Sequence, residues 1–401
     1  MRIDATRRSV FLDPRDPEFY QNPYPAYLAI RAACPAFKWE QYGYWCFADH
    51  AHVNALLRDR RFGRQILHVA SREELGWPEV PAHLAVFYDF EKHSLLELEP
   101  PVHTRLRNLV NRSFLGRSVS RLKPAIESLS NSLIDRFESR REVDLLTEFA
   151  TPIPVIVICD LLGVPAEMGS QLLSWSHEMV AMYQARRDRT IEDRAVKATL
   201  DFGAFMRGYI ARKREKPGDD LLSELIRTEA EGQKLSEDEL VTTAVLLLNA
   251  GHEATVHAIG NGVKTLLEQG IREGIGPGHV EESLRHDAPL HLFTRYALED
   301  VEFAGIRLAK GEQVGLMLGA ANRDPARFAE PDLFRPAREP NPHVSFGAGI
   351  HFCIGAPLAR LELEMALPIL FQRLPRLALT DPPRYRDTFH FHGLEALRVG
   401  F

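Results

Sequence analysis

A glycine-rich loop near residue 350 carries one cysteine and leads into a helical pattern over residues 356–371. The loop reads Phe346-Gly347-Ala348-Gly349-Ile350-His351-Phe352-Cys353-Ile354-Gly355. Glycines let the backbone approach a flat macrocycle, and the N-terminal end of a helix stabilises an anionic sulfur. A lone cysteine is more often a buried, inert side chain. Here the spacing favours a thiolate, Cys353, that binds the iron of a haem.

This stretch resembles the haem-ligand loop of the cytochrome P450 monooxygenases, whose pattern is Phe-Gly-x-Gly-x-x-x-Cys-x-Gly. The resemblance begins at Asn22-Pro23-Tyr24-Pro25, extends to the last strands, and is strongest to the soluble bacterial branch. It implies non-covalent haem b with Cys353 as the axial ligand and Phe346 and Gly347 in the haem-binding loop. It also implies the cytochrome P450 fold, mainly α with a small β-rich lobe.

Composition narrows the class of protein. The 401 residues contain no linker, repeat or low-complexity run, so we expect one domain over residues 1–401. A net charge of −6 argues against nucleic acid as a partner. Neither a signal-peptide core nor an apolar stretch of membrane-spanning length occurs, which predicts a cytoplasmic protein without a membrane partner. The four scattered cysteines indicate neither a zinc site nor a disulfide framework.

The periodicity predicts a largely helical chain. A capping box at Ser236 opens the longest helix, predicted over residues 236–267, and roughly 32 residues at about 1.5 Å each could cross the whole domain. Two short strands are predicted over residues 36–39 and 44–47. Residues 62–98 read as irregular, with a short helix at Ser71-Arg72-Glu73-Glu74.

The middle of the long helix reads Leu246-Leu247-Leu248-Asn249-Ala250-Gly251-His252-Glu253-Ala254-Thr255. The small pair Ala250 and Gly251 would let a flat group approach the backbone. The resemblance implies the pattern Ala/Gly-Gly-x-Asp/Glu-Thr, in which acid and threonine organise proton delivery. Ala254 stands where that threonine is expected, and Thr255 follows one residue later. Because one residue rotates the side chain by about 100° on a helix, Thr255 cannot simply replace the missing hydroxyl.

Two interpretations of Ala254 stay open. A hydroxyl of the substrate and ordered water could complete the relay, with Glu253 as the acid, helped by Thr255 or water. Alternatively, the reduced oxygen escapes as peroxide, or the enzyme accepts peroxide in place of O2. The missing threonine also keeps a different class open, namely a non-oxygenating haem protein that binds a ligand on the same scaffold.

Four basic side chains are candidates for holding the haem propionates. His103 and Arg107 lie four residues apart on a predicted helix, Val102–Phe114, and so share one face. On the charges alone, a solvated basic face is an equally good interpretation. The resemblance implies that both reach a propionate, together with Arg295 and His351.

The substrate is expected to be a small or medium organic molecule. Its predicted contacts are Leu247, Leu290, His291, Phe293 and Phe391. These residues combine apolar and aromatic surface with a polar group that could orient a carboxylate, phenol or hydroxyl. For any one histidine, a position at a strand edge facing water is at least as good an interpretation.

A second motif, formed by Glu282 and Arg285, is expected to stabilise the fold and not to take part in catalysis. Glu282 and Arg285 are three residues apart on a predicted helix, which is usually only a surface ion pair. Their position ahead of the cysteine loop matches the Glu-x-x-Arg of the family, which pairs with a later arginine. Arg338 is the candidate third member, and we expect the three residues to fix the core and retain haem.

The resemblance implies insertion of one oxygen atom from O2 into the substrate, with two electrons and two protons consumed. The chain has too few cysteines for an iron–sulfur cluster and no room for a flavin module. We therefore expect electrons from separate chains, a ferredoxin and a ferredoxin reductase. The basic segment 105–123 fits an acidic donor, with Arg105 and Arg112 as the expected docking residues.

Overall fold

Helices make up most of the regular structure. The computed structural model describes residues 1–114, 119, 121–184, 187–230 and 235–401, without the side chains of residues 112–114 and 228–230. Helices α1 to α14 are, in order, Pro17–Gln21, Tyr24–Ala33, His50–Arg58, Ala85–Glu91, Val102–Phe114, Lys123–Asp135, Pro152–Leu162, Gly169–Val180, Arg189–Glu215, Leu221–Ala230, Glu237–Glu268, Pro277–His286, Leu318–Ala321 and Ala356–Arg373. None of the described helices combines the length and the apolar character needed to cross a lipid bilayer.

The strands are short. Strands β1 to β14 are Arg2–Asp4, Ser9–Phe11, Ala36–Trp39, Tyr44–Phe47, Phe62–Gly63, Glu142–Asp144, Phe293–Ala297, Val301–Phe303, Ile306–Leu308, Gln313–Leu316, Ala378–Leu379, Arg384–Tyr385, Leu394–Ala396 and Arg398–Gly400. Seven of them form one sheet in the order β1-β2-β3-β4-β10-β7-β5, and β11-β14-β6 form a second. Strand β10 pairs with β4 in parallel and with β7 antiparallel. This architecture confirms the predicted fold, mainly α with a small β-rich lobe.

The longest helix, α11, begins with the predicted capping box. The Ser236 hydroxyl accepts from the Glu239 backbone N–H, and the Glu239 carboxylate accepts from the Ser236 N–H at 2.8 Å. The helix then continues without a break for 32 residues. It packs against α7, α8, α9 and α14, so most of its side chains are buried, as expected for a helix that is apolar on most faces.

The predicted irregular stretch 62–98 contains a helix that the sequence did not indicate. The capping bonds at Ser71 do form, since the Glu74 N–H donates to the Ser71 hydroxyl at 3.1 Å, but they close a turn and not a helix. The helix lies further along, at α4, where Val86, Phe87 and Tyr88 lower the intrinsic propensity. Tertiary packing, with Phe87 buried, stabilises α4.

A buried ion cluster joins α12 to the chain that precedes the cysteine loop. Both side chains of the Glu282–Arg285 pair have an exposed fraction of 0%. The Glu282 carboxylate also accepts from Arg338 Nε at 3.1 Å, so the three predicted members do meet. Arg285 donates further to the backbone carbonyls of Asn322 at 2.9 Å and Pro331 at 2.8 Å. This helix is thereby tied to two later segments of the chain.

Substitution of Glu282 tests this cluster. Glu282→Gln leaves the Arg285 guanidinium buried without a counter-charge, so the free energy of unfolding should fall by about 3–5 kcal/mol. Urea denaturation followed by far-UV circular dichroism measures the change. Asp201→Asn is the matched control, because Asp201 pairs with Lys197 on an exposed helix face, and it should cost less than about 1 kcal/mol. Equal losses in both variants would contradict a special role for the buried cluster.

Candidate active site

The conformation of the cysteine loop depends on two glycines and a backbone hydrogen bond. Gly347 and Gly349 have φ values of +68° and +71°, which favour glycine. A Cβ on Gly349 would lie 2.2 Å from the carbonyl oxygen of Leu57 in α3, so a side chain does not fit there. The Cys353 N–H donates to the carbonyl of Phe346 at 2.9 Å. The loop thus delivers Cys353 directly before α14.

Cys353 differs from the other cysteines. All four lie in the described residues, and only Cys353 is exposed. Although the residue as a whole is exposed, desolvation at its sulfur raises the pKa of the Cys353 thiol, while the backbone N–H groups of Gly355 and Ala356 and the Arg107 guanidinium favour the thiolate. A metal cation bound to the sulfur would deprotonate it outright. The site is therefore suited to a thiolate ligand.

His103 is buried at 1% exposure, and neither ring nitrogen has a partner among the described residues. Burial, with the charges of His351 and Arg107, lowers the pKa of His103 to about 4. Its neutral ring lies 4.3 Å from that of His351, whose Nε2 is 3.1 Å from the Glu99 carboxylate. A buried donor without an acceptor is rare in folded proteins, so this position fits an anionic group of a bound cofactor.

Two predicted arginines differ in burial, since Arg107 is half-buried and Arg295 is buried. Arg107 donates to the carbonyl of Phe352 in the cysteine loop. Arg295 is 4% exposed and donates to the carbonyl of Thr294 at 2.8 Å. Burial and the charge of Arg64 lower the pKa of Arg295 to about 10, and no described carboxylate lies within ion-pair distance. Because buried cations are normally paired, these residues fit the propionates of a haem.

Arg64 is a further candidate that sequence reasoning missed. It follows β5 inside the stretch interpreted as irregular. Its Nη2 lies 2.8 Å from the Glu97 carboxylate, while its buried Nε has no partner among the described residues. An arginine outside any motif gives no signal in the sequence, and only the antiparallel pairing of β5 with β7 brings it near Arg295.

Helix α11 has one open stripe in its middle. Leu246, Ala250 and Ala254 are spaced four residues apart and share a face, and Ala250 is exposed while the other two are half-buried. Leu247, the predicted substrate contact, is 5% exposed and lies beside this stripe. Leu246 is therefore the better candidate, and the four-residue spacing to Ala250 and Ala254 is the signal that could have found it.

Gly251 has a packing role that the sequence did not indicate. A Cβ at this position would lie 3.2 Å from Cγ1 of Ile158 in α7, so the glycine allows close packing between α11 and α7. The predicted approach of a flat group to Ala250 and Gly251 stays a prediction, and Ala250 lies on the open stripe.

The two polar residues next to Ala254 are both engaged. The Thr255 side chain is 5% exposed, and its hydroxyl donates to the carbonyl of Gly251 at 3.2 Å. Glu253 has an oxygen 3.0 Å from Nε2 of His177 in α8. Burial would raise the pKa of Glu253, but His177 and the neighbouring histidines hold it well below its usual range. Glu253 is therefore a carboxylate at neutral pH.

The predicted substrate contacts divide into two groups. Leu290 and Phe391 form an antiparallel bridge and are both half-buried, as is Phe293, whose ring lies 3.5 Å from where a Gly347 Cβ would be. His291 is instead fully buried, with Nδ1 2.8 Å from the Tyr27 hydroxyl. Its side chain belongs to an internal polar cluster, so the packing does not support substrate contact at His291.

Two arginines of the segment 105–123, which is predicted to dock an electron donor, make ion pairs within the chain. The Arg105 guanidinium donates to the Glu239 carboxylate and so joins α5 to the first turn of α11. Arg121 pairs with Asp219 at 2.7 Å. The side chain of Arg112 lies outside the described residues. Arg105 therefore contributes to packing between helices, which the sequence did not indicate.

Comparisons with known proteins agree with this geometry. The sequence model of the family described as Cytochrome P450 matches residues 278–388. The chain is 35% identical to the polyketide biosynthesis cytochrome P450 PksS of Bacillus subtilis, over 96% of this chain and 97% of the relative. It is also 35% identical to the 6-deoxyerythronolide B hydroxylase of Saccharopolyspora erythraea, over 96% of this chain and 98% of the relative.

Solved structures give the same result. The crystal structure of P450BioI in complex with hexadec-9Z-enoic acid ligated acyl carrier protein matches with a TM-score of 0.88 and 35% identity, over 96% of this chain and 100% of that chain. The named hydroxylase does not favour the non-oxygenating alternative. Such enzymes use a haem whose iron is bound by a cysteine thiolate, and they oxidise small molecules with O2 and electrons from redox partners. The chain therefore belongs to the cytochrome P450 family of haem-thiolate monooxygenases.

Proposed function

We propose that Cys353 is the axial ligand of haem b, and that the chain inserts one oxygen atom from O2 into a small or medium organic substrate. The observation that carries this proposal is Cys353, an exposed residue held just before α14 by a loop that has room only for glycine at Gly349. The haem supplies the activation of O2. Residues 1–401 act as one domain, which the match along nearly the full length of the relatives supports.

Four basic residues hold the haem propionates in this proposal. His103 and Arg295 contribute buried groups without a carboxylate partner, and Arg107 and His351 flank them. The cysteine loop also packs against α14, because the Arg360 guanidinium of that helix lies 4.5 Å from the centre of the Phe346 ring. These contacts orient the cofactor and keep Cys353 at a fixed distance from α14.

Proton delivery depends on Glu253 and on a hydroxyl that Ala254 does not supply. Ala254 lies on the open stripe of α11, where a threonine hydroxyl would face the substrate. The Thr255 hydroxyl is engaged inside the helix with the Gly251 carbonyl, and α11 has no break that would release it. We therefore infer that a substrate hydroxyl or an ordered water completes the relay, with Glu253 as the acidic residue whose carboxylate accepts protons and passes them on.

The preferred substrate carries a hydroxyl close to the carbon that is oxidised. The half-buried Leu246, Leu290, Phe293 and Phe391 offer it a mainly apolar surface. Relatives named for polyketide biosynthesis and for 6-deoxyerythronolide B hydroxylation support a polyketide-like alcohol. A fatty acyl chain on a carrier protein is a second candidate, because a similar structure contains such a carrier.

Electrons come from a separate ferredoxin and its reductase in this proposal. Exposed Phe352 beside Cys353 provides an apolar contact for a donor. Arg105 is not proposed as a docking residue, since Glu239 binds it. Four free cysteines, three of them buried, support a reducing compartment such as the cytoplasm.

Substitution of the proposed ligand tests the central assignment. Cys353→Ser should abolish monooxygenation and remove the thiolate signature from the absorption spectrum of the reduced, CO-treated protein, because an alcohol is not deprotonated as a thiol is. Cys34→Ala is the matched control, since Cys34 is buried in the β-rich lobe, and it should keep the signature. A thiolate spectrum in Cys353→Ser would refute the assignment.

The relay is tested by a pair of variants on α11. Glu253→Gln should lower substrate-dependent product formation by about 10²–10⁴, the usual contribution of a general acid. Thr255→Val should lower it less than about threefold, because its hydroxyl is already bonded within the helix. Product, NADH consumption and peroxide are measured together with surrogate redox partners. A large loss in Thr255→Val with normal Glu253→Gln would reverse the two roles.

Haem retention tests the buried histidine. His103→Phe keeps the ring volume but removes the nitrogens, so the rate of haem transfer to excess apomyoglobin should rise about tenfold or more, as expected for a charge-assisted hydrogen bond of about 1.5–3 kcal/mol. His68→Phe, on an exposed part of the 62–98 stretch, is the control and should leave the rate unchanged. An unchanged rate in His103→Phe would remove this residue from the propionate set.

A further inference from the structure

A cluster of three histidines surrounds Glu253 on the side of α11 that faces α8. Its Oε2 is 3.0 Å from Nε2 of His177 and 3.5 Å from Nε2 of His252. Its other oxygen, Oε1, is 3.3 Å from Nε2 of His257. The ligand atoms of His177, His252 and Glu253 all lie within 4.8 Å of one another. Three groups that can ligate a metal ion therefore lie close together, and His257 contacts the other oxygen of the carboxylate.

The hydrogen bond of His252 to the helix backbone shows which of its ring nitrogens faces Glu253. Nδ1 of His252 lies 2.8 Å from the carbonyl oxygen of Leu248, which can only accept, so Nδ1 carries the proton. With a neutral ring, the lone pair of Nε2 would face the Glu253 carboxylate 3.5 Å away, whereas a proton or a metal ion at Nε2 would make this contact attractive. His252 is 3% exposed, and its Nε2 has no hydrogen-bond partner among the described residues. Two electron-rich atoms facing each other in a buried place are unfavourable unless a cation lies between them.

The dimensions suit a transition-metal ion. Zinc bonds of about 2.0–2.1 Å to nitrogen and oxygen in a tetrahedron separate neighbouring ligands by about 3.3–3.4 Å. The two separations from Glu253 Oε2, 3.0 Å and 3.5 Å, bracket this value, and the ligand atoms of the two histidines lie within 4.8 Å of each other. Two histidines with one glutamate are a known set for zinc with an open fourth position. The Leu248 carbonyl and His257 act as outer partners that orient a ligand histidine and the ligand carboxylate.

The site is also accessible. The His177 side chain is 48% exposed, whereas Glu253 and His252 are 14% and 4% exposed. An ion can therefore enter from solvent past His177 and reach the two buried ligands. An entry path, ligands of a suitable chemical type and outer partners that orient them are features expected of a genuine metal site.

We propose that His177, His252 and Glu253 form a binding site for a divalent transition-metal ion of the zinc class, with His257 as a positioning residue. The ion joins α8 to α11 and holds the Glu253 carboxylate away from the open stripe at Ala254. As a consequence that rests on the proposed function, metal binding slows substrate oxidation by removing the relay acid. Binding itself does not depend on that function.

Calorimetric titration tests the site directly. Zinc chloride is added to haem-loaded, chelator-treated protein, and one zinc ion per chain should bind. His257→Ala should weaken binding by about 10–100-fold, the usual effect of losing an outer partner, and His177→Ala should weaken it more. His93→Ala is the matched control, since His93 is also partly exposed and has one carboxylate, Asp238, at 4.0 Å. It should bind zinc as the wild type does.

Crystals soaked in zinc should show anomalous density between His177 and Glu253. Absence of saturable binding in the wild type, or equal binding by wild type and His177→Ala, would overturn the site and leave a proton as the cation at His252. Zinc should also slow product formation in the wild type but not in His177→Ala, with the rate of haem reduction unchanged. Zinc that binds without slowing turnover would overturn only the capture of Glu253. A protein that oxidises no substrate would leave the calorimetric result standing.

Discussion

The buried charge of Arg285 is the constraint on which the active site depends. A guanidinium with no exposed surface must satisfy every donor inside the protein, and it does so through Glu282 and the backbone carbonyls of Asn322 and Pro331. Asn322 in turn accepts from the Val344 N–H at 2.8 Å. A continuous set of hydrogen bonds thus leads from α12 to the residues just before the cysteine loop. The segment that leads into the cysteine loop is thus anchored by an ion pair remote in sequence.

Helix α11 presents small apolar residues on one face and polar residues on another. Ala250 and Ala254 share an open face suited to substrate, while Glu253 and His257 turn toward a polar cluster shared with α8. Successive residues differ by about 100°, so the acid and the missing hydroxyl cannot serve the same face without movement. In the proposed relay, proton transfer between the two faces therefore needs a mobile carrier, either water or the substrate itself.

Elements with strong local signals were predictable from the sequence. The strands Ala36–Trp39 and Tyr44–Phe47 have the predicted bounds, because the pattern of side chains within each strand is a local feature. Helix α4 was missed, since its aromatic and β-branched residues become helical only through packing. Arg64 gave no signal in the sequence either, because it belongs to no motif and only the pairing of β5 with β7 brings it to the site.

The sequence by itself determined the family, the cysteine loop, the long helix with its capping box and the substitution at Ala254, because each is a pattern within a few adjacent residues. Tertiary structure alone decided how those residues are used. It placed Gly251 against Ile158 and enclosed Glu253 among histidines of two helices. It also buried His291 while leaving its neighbour Leu290 half-buried beside Phe391. These outcomes depend on contacts between segments far apart in the chain, and local residue patterns contain no information about such distances.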